Sequence, residues 1–387
     1  MKQKVGAAAI GCVTLALAAC SGGGGSRTTT VPSTAPQRAA ITFPTELSST
    51  FDDPITLAGD PNGAGVWLVA GSVKGLSVFH YDEATKVMDD IGVGSTAVSR
   101  QYTTRAGLAV DRSGMVWLGA LLSLTRYDTK TGATQDFDLE ALLKSVADET
   151  PLLPEKRGQR VVNSVAVTPD GSKVVVGFDG SSRLLVYATA TQRWSKLELG
   201  LNTAVENVAV SDTGVVAAAV DTLFTGRNVL AVWVGDERKE TLADLGPVTY
   251  RDGTFVRGPG PTLVRAADGV AVPLVVRDRP AAARVSIFFA GAGGQLIAST
   301  FTGFGVVGSD GEWIGAADFP VSACAPAALP PTTKEKGSGT TSSILQSVPC
   351  PGHVTFRVGI DARGKVWFGH HQGTVEYIGR FDPALAR

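Results

Sequence analysis

The chain has 387 residues, with 35 basic and 36 acidic side chains, so no net field steers it toward nucleic acid or toward an anionic surface. Hydrophobic residues make up 44% and charged residues 18%, which supplies ample apolar surface for a core and excludes a largely disordered chain. The 46 glycines and 20 prolines interrupt helices and favour turns between short strands, pointing to an all-β fold.

Lys2 and Lys4 precede an apolar stretch, Val5 to Ala18, that is too short to cross a hydrocarbon core needing about 20 residues. It reads as a signal peptide spanning residues 1–19. Leu17-Ala18-Ala19-Cys20 resembles the lipobox of bacterial lipoproteins; the competing reading is a plain secretory signal with an Ala-x-Ala cleavage site. The resemblance implies a diacylglycerol on the Cys20 thiol and cleavage in front of it, with further acyl chains such as palmitate holding the protein to a membrane. Ser21 stands where Asp would retain a Gram-negative lipoprotein in the inner membrane, so the expected location is the cell envelope, and the outer membrane in a Gram-negative cell. Residues 20–39 are rich in Gly, Ser, Thr and Pro and form a flexible tether.

From Ala40 to the end the sequence repeats. The clearest unit is GLAVDRSGMVWLGALLSLTRYDTKTGATQDF, residues 107–137, which reads as four short strands joined by tight turns. Its first turn recurs at Asp60, Asp111, Asp170, Asp212, Asp252, Gly293 and Asp361, with steps of 51, 59, 42, 40, 41 and 68 residues. A four-stranded propeller blade takes about 40 to 50 residues, so the longer steps read as blades with extra loops. After each turn comes a short apolar segment, and Trp67, Trp117 and Trp367 fall at one equivalent position, read as packing between blades. The last unit lacks a fourth strand, and Ala40 to Leu47 is available to supply it. The expected fold is a single all-β propeller, residues 40–387, of seven four-stranded blades closed by an N-terminal strand, the unit around Asp252 being the least regular.

DRSGMVWLGALLSLTRYDTKTG resembles the propeller repeat of bacterial two-component sensors, and DARGKVWFGHHQGTVEYIGRFDP is similar to blades of streptogramin-lyase-like and NHL propellers. Such scaffolds host sensors, scaffolds, hydrolases and lyases, so the resemblance speaks to fold more than to activity.

Cys324 and Cys350 are the cysteines left to the mature domain, and a disulfide between them is the expectation for an exported chain. It would bracket a polar insertion, residues 324–350, and stabilise by about 3 to 4 kcal/mol in the chain-entropy model. Among the histidines, His370 and His371 end the second strand of the last unit and His353 begins its first strand. The lyase resemblance implies a metal-assisted elimination by His and Glu near such positions, but WFGHHQG has no Glu beside the histidines. Lys74, Asp179, Arg183 and Arg227, with His370 and His371, fall on loops expected to face a channel mouth and are candidates for an anionic or carbohydrate ligand. No nucleophile elbow, His-Glu-x-x-His or phosphate-cradling loop is present. The favoured expectation is a non-catalytic module without cofactor that binds an envelope protein or glycan and no nucleic acid. The alternative is a lyase-like or hydrolase-like enzyme using His353, His370 or His371 and a divalent metal.

Overall fold

The computed structural model describes residues 40–44, 47, 56–72, 75–92, 106–144, 161–179, 181–199, 203–222, 227–244, 246–281, 283–319, 353–372 and 375–386. Residues 39–387 form one compact unit. After a short strand β1 (Ile41–Thr42), the chain makes seven antiparallel sheets in sequence order. Blade 1 is β2 (Thr56–Gly59), β3 (Gly65–Ser72), β4 (Gly75–Asp82) and β5 (Val87–Asp90). Blade 2 is β6 (Gly107–Val110), β7 (Met115–Ala120), β8 (Ser123–Asp128) and β9 (Thr134–Asp138), followed by the helix α1 (Leu139–Lys144). Blade 3 is β10 (Val161–Val167), β11 (Lys173–Asp179), β12 (Arg183–Ala188) and β13 (Arg193–Glu198). Blade 4 is β14 (Thr203–Val210), β15 (Val216–Thr222), β16 (Arg227–Val234) and β17 (Glu237–Leu242). Blade 5 is β18 (Val248–Arg251), β19 (Thr254–Arg257), β20 (Thr262–Arg265) and β21 (Ala271–Val272). Blade 6 is β22 (Val285–Ala290), β23 (Leu296–Thr300), β24 (Gly303–Val307) and β25 (Trp313–Asp318). Blade 7 has β26 (His353–Ile360), β27 (Val366–Gln372) and β28 (Val375–Phe381) from the C-terminal end, and β1 adds as its fourth strand, Ile41 opposite Phe381. The protein is a seven-bladed β-propeller, closed as the repeat count requires. The closing strand is shorter than the expected Ala40 to Leu47; Leu47 instead turns back through a hydrogen bond to Pro44 and is buried with Trp367.

All seven expected turns join the first strand of a blade to its second. Asp252 and Gly253 both take positive φ, 50° and 83°, as a two-residue hairpin turn demands. In blades 2 and 7 the first aspartate caps the turn: Asp111 Oδ1 accepts from Ser113 and Met115 N–H, and Asp361 Oδ1 from Arg363 and Lys365 N–H. In blades 3 and 4 the equivalent cap is a hydroxyl rather than Asp170 or Asp212. Thr168 Oγ1 accepts from Lys173 N–H and Ser211 Oγ from Val215 N–H.

The innermost strands β2, β6, β10, β14, β18 and β22 lie against one another in ring order, and β26 lies against β2. Second strands are covered by neighbouring blades on both faces, which is why β7, β11 and β23 are buried almost without interruption while β5, β9 and β13 are mostly exposed. Trp67, Trp117 and Trp367 are buried, each opposite a small residue of the inner strand: Ala58, Ala109 and Gly359. At the sixth and seventh blades the packing is aromatic, with Phe304 stacked on Phe381 at 5.0 Å and tilted on Phe368 at 4.7 Å. Blade 5 is the irregular one. Its fourth strand has two residues, and the chain beyond it, carrying Pro273 and Pro280, pairs Arg277 with Glu312 at the outer edge of blade 6. A proline-flanked, charged segment is suited to such an edge because it cannot template further pairing.

Helix α1 was not marked by the repeat pattern. Asp138 Oδ1 caps it at Glu140 and Ala141 N–H, and Leu139 and Leu143 bury its inner face against Leu124 and Val162.

Candidate functional site

Because strands alternate in direction, the start of every innermost strand lies at the same end of the ring as the loops joining second to third strands. We call that end of the ring the mouth; the innermost strands enclose a cavity of about 520 Å³ lined from all seven blades. Thr56 and Leu57, then Leu108, Asn163 and Val165, Glu206 and Asn207, Pro247 and Thr249, Phe289 and Val358 surround it. Its wall is therefore apolar with polar groups set into it.

Most of those polar groups are occupied in joining blades. Thr56 Oγ1 donates to Ala106 O at 2.9 Å, and Ser164 Oγ accepts from Val208 N–H at 3.0 Å. Asn207 Oδ1 accepts from Val248 N–H at 2.7 Å, and Thr249 Oγ1 from Ala290 N–H at 2.8 Å. Each bond ties an inner strand to the next blade and fixes the width of the channel.

Glu206 is different, and the cause is a bulge. In blade 4 Val205 pairs with Val220 and Asn207 with Ala219, which leaves Glu206 as an extra residue. Blades 3 and 6 carry the same irregularity at Asn163 and Ser286. A bulge breaks the period-two alternation and re-aims one side chain, here a carboxylate at the channel wall. Behind it lies Arg257, fully buried, whose Nη2 meets Glu206 Oε2 at 2.6 Å. Arg257 also donates from Nε to Gly246 O at 2.9 Å and from Nη1 to Val229 O, so it ties blade 5 to blade 4 and to the link between them. Burial pulls the Arg257 guanidinium below its ordinary value, against the opposing pull of Glu206, Asp221 and Asp244. Arginine is not deprotonated in proteins, so Arg257 faces Glu206 as a cation. By register Arg257 occupies the position of Val69, Gly119, Gly177, Ala219 and Ser299 in other blades, so one long cation stands where they have small or apolar side chains.

The candidate residues read from sequence fall elsewhere. Asp179 ends β11 and Arg227 begins β16, both at the mouth end but outside the cavity wall. Arg183 is buried and donates from Nε to both Glu198 oxygens at 2.9 and 2.8 Å. For Glu198, burial acts to raise its pKa, but hydrogen bonds from Arg183 and Lys196 outweigh it and hold the carboxyl below its usual range. Lys74, Cys20, Cys324 and Cys350 lie outside the described residues. His353 begins β26, and His370 and His371 near the end of β27, as the repeat pattern requires. The register sets His353 opposite His371 and His371 opposite Glu376, so three residues with metal-ligand chemistry stand at matched positions across β26, β27 and β28. Glu376, three residues beyond the segment WFGHHQG in sequence, was missed by reading along the chain alone. Among the residues whose side chains are described, no group of three or more His, Cys, Asp or Glu is placed to hold a metal.

At the opposite end of the ring His80 Nε2 lies 3.0 Å from Asp60 Oδ2, and its ring stacks on Trp67 at 4.3 Å. Burial acts to raise the Asp60 pKa, but the His80 and Asn62 hydrogen bonds win and hold it below its ordinary value.

No family model matches the sequence, and no curated protein matches it. Solved structures do. A streptogramin B lyase superposes over 88% of this chain and 96% of its own, with a TM-score of 0.54 at 12% identity. The virginiamycin B lyase of Staphylococcus aureus covers 86% of this chain and 96% of its own, with a TM-score of 0.52 at 12% identity. The WD40 domain of Neurospora crassa Pan2 covers 85% and 89%, with a TM-score of 0.54 at 12% identity. Lyases and a WD40 domain match equally well, so the likeness is one of fold, that of a seven-bladed propeller.

Proposed function

We propose that the chain is an exported lipoprotein, acylated at Cys20, whose propeller is a non-catalytic module that binds an envelope protein or glycan at its channel mouth. The lipobox-like segment and the tether of residues 20–39 support the location. The observation that carries the binding reading is the axial cavity, of a size suited to a small ligand or a projecting side group, whose lining polar groups are largely occupied by blade-to-blade bonds. A wall rigidified in this way presents a preformed seat, which lowers the ordering cost of binding. The test uses the full chain on glycan and peptide arrays beside a Val358→Trp variant that narrows the mouth, with thermal unfolding to verify that the variant is folded. Loss of specific binding in the folded variant is the expected result, and unchanged binding would place the seat elsewhere. Mass measurement of the mature N-terminus tests acylation at Cys20.

A second reading is favoured by the row of His353, His371 and Glu376. Imidazole and carboxylate donors suit a divalent cation, which would polarise a substrate oxygen as a Lewis acid. This reading predicts bound metal in stoichiometric amount in the purified protein and its loss in the His370→Ala/His371→Ala variant. Absence of metal from the purified protein removes its support.

A further inference from the structure

We propose that the ligand of the channel mouth presents an ammonium or guanidinium group on an apolar stem, received by Glu206; this rests on the mouth being the binding seat. Three observations converge on it. Glu206 is an ionisable residue in the wall of the cavity, delivered there by the bulge in β14. Its Oε2 receives Arg257 at 2.6 Å and the Gly246 N–H at 3.4 Å, so both of these internal bonds fall on one oxygen of a carboxylate that lines the cavity. The surroundings also carry a surplus of negative charge. Glu206, Asp221 and Asp244 all act on the Arg257 guanidinium, which can balance only one of them. Arg227, at the start of β16, stands opposite Thr222 and is engaged in its own contact; counting it leaves three carboxylates against two cations.

The remaining wall decides what accompanies the cation. Leu57, Leu108, Val165, Pro247, Phe289 and Val358 offer carbon surface around the carboxylate. A strongly hydrated anion would meet a like charge there, with Arg257 fully buried behind the wall and its donors already bound to Glu206, Gly246 and Val229. An alkyl stem ending in a cation matches both features, whether it is the lysine or arginine side chain of a partner protein or a free amine. Charge-assisted pairing in a partly desolvated site is about twice as strong as neutral hydrogen bonding, so the carboxylate sets the preference.

Binding of n-butylammonium, n-butylguanidinium, n-butanol and butyrate to the full chain, followed by saturation-transfer NMR, tests this. The two cations are expected to bind and the alcohol and carboxylate to fail, and Glu206→Gln should weaken the cations by about tenfold, the equivalent of one charge-assisted bond. Glutamine keeps an oxygen for Arg257, and thermal unfolding checks that the fold survives. Asp244→Asn, at an exposed position, is a second variant expected to weaken the cations by a smaller factor. Equal binding of butyrate, no binding of either cation, or unchanged affinity in folded Glu206→Gln overturns the proposal. If array binding is lost in Val358→Trp but unaffected by Glu206→Gln, the seat stands and the cation preference falls. A capped Gly-Lys-Gly peptide separates the sources: tighter binding than n-butylammonium assigns the group to a protein side chain, and weaker binding assigns it to a free amine.

Discussion

Lys365 Nζ lies 2.8 Å from Glu83 Oε2, joining the turn between β26 and β27 of the last blade to the turn between β4 and β5 of the first. Arg380 on β28 reaches the same carboxylate. A backbone bond runs beside them, Ala362 N–H to Asp60 O at 2.8 Å. The seam of the ring is therefore held by β1, by a three-residue ion cluster and by a direct turn-to-turn bond.

Glu83→Ala should open that seam. Lys365, Glu83 and Arg380 are each less than a fifth exposed, so removing the carboxylate leaves two cations with little water to replace it. A fully buried broken pair costs about 3 to 5 kcal/mol, and partial solvation reduces this to about 1 to 3. The exposed pair Arg265 and Asp268 is the comparison, where Asp268→Ala should cost clearly less because solvent screens the pair. Urea unfolding of both variants checks the contrast, and equal losses would mean the seam cluster contributes no more than a surface pair.

Gly359→Ala should also strike the seam. A Cβ at Gly359 would sit 2.4 Å from Gly59 N, backbone against backbone where β26 meets β2, so neither side can yield without shifting a strand. Overpacking of this kind costs about 1 to 3 kcal/mol, and backbone collision places the change at the upper end. The measurement is the urea midpoint together with hydrogen exchange in β2 and β26; a midpoint equal to wild type would show the inner strands to be looser than their spacing implies.

Asp60 adds a pH dependence. Its folded-state pKa lies below the ordinary 3.8, so the stability it contributes is fully present above that value and is lost as pH falls through the lower folded value. Asp60→Asn should therefore unfold more easily than wild type at neutral pH, and the gap should narrow as pH drops below 3.8. Thermal unfolding between pH 7 and about 2 follows the gap, and a gap that widens toward acid would reverse the assigned sign.

The blade count was legible because each first turn needs residues that accept positive φ or cap a hairpin, and Gly and Asp advertise themselves in a sequence. The wall of the channel was not. Asn163 and Glu206 look like ordinary members of alternating strands, since a bulge inserts one residue without any composition signal of its own. Arg257 could have been found by aligning the segments after each turn. It is the charged residue in VWLVA, VWLGA, VVVGF, TFVRG and LIAST, and a charge inside an apolar run asks for a buried partner. Glu376 stayed hidden because cross-strand neighbours are set by register, which sequence proximity does not reveal.

The tryptophans at one repeat position differ in what their indole N–H does, and that difference predicts unequal costs. Trp367 Nε1 donates to Asp361 Oδ2 at 3.0 Å, so the carboxylate that caps the turn with one oxygen holds the indole with the other. In blade 1 His80 has taken the matching oxygen of Asp60, and Trp67 Nε1 is buried with no hydrogen-bond partner. Trp→Phe removes a similar amount of ring surface at either site. At position 367 it also strands a buried carboxylate oxygen, for which the loss of a hydrogen bond to a charged group is about 1.5 to 3 kcal/mol. At position 67 it removes an unsatisfied donor, which offsets part of the lost packing. Trp367→Phe should accordingly destabilise by at least about 1.5 kcal/mol more than Trp67→Phe in urea unfolding at neutral pH. The excess should shrink when Asp361→Asn is introduced into both backgrounds, because the bond then involves no ionised partner. Equal costs for the two tryptophans would mean that the Asp361 contact adds nothing beyond the packing of the ring.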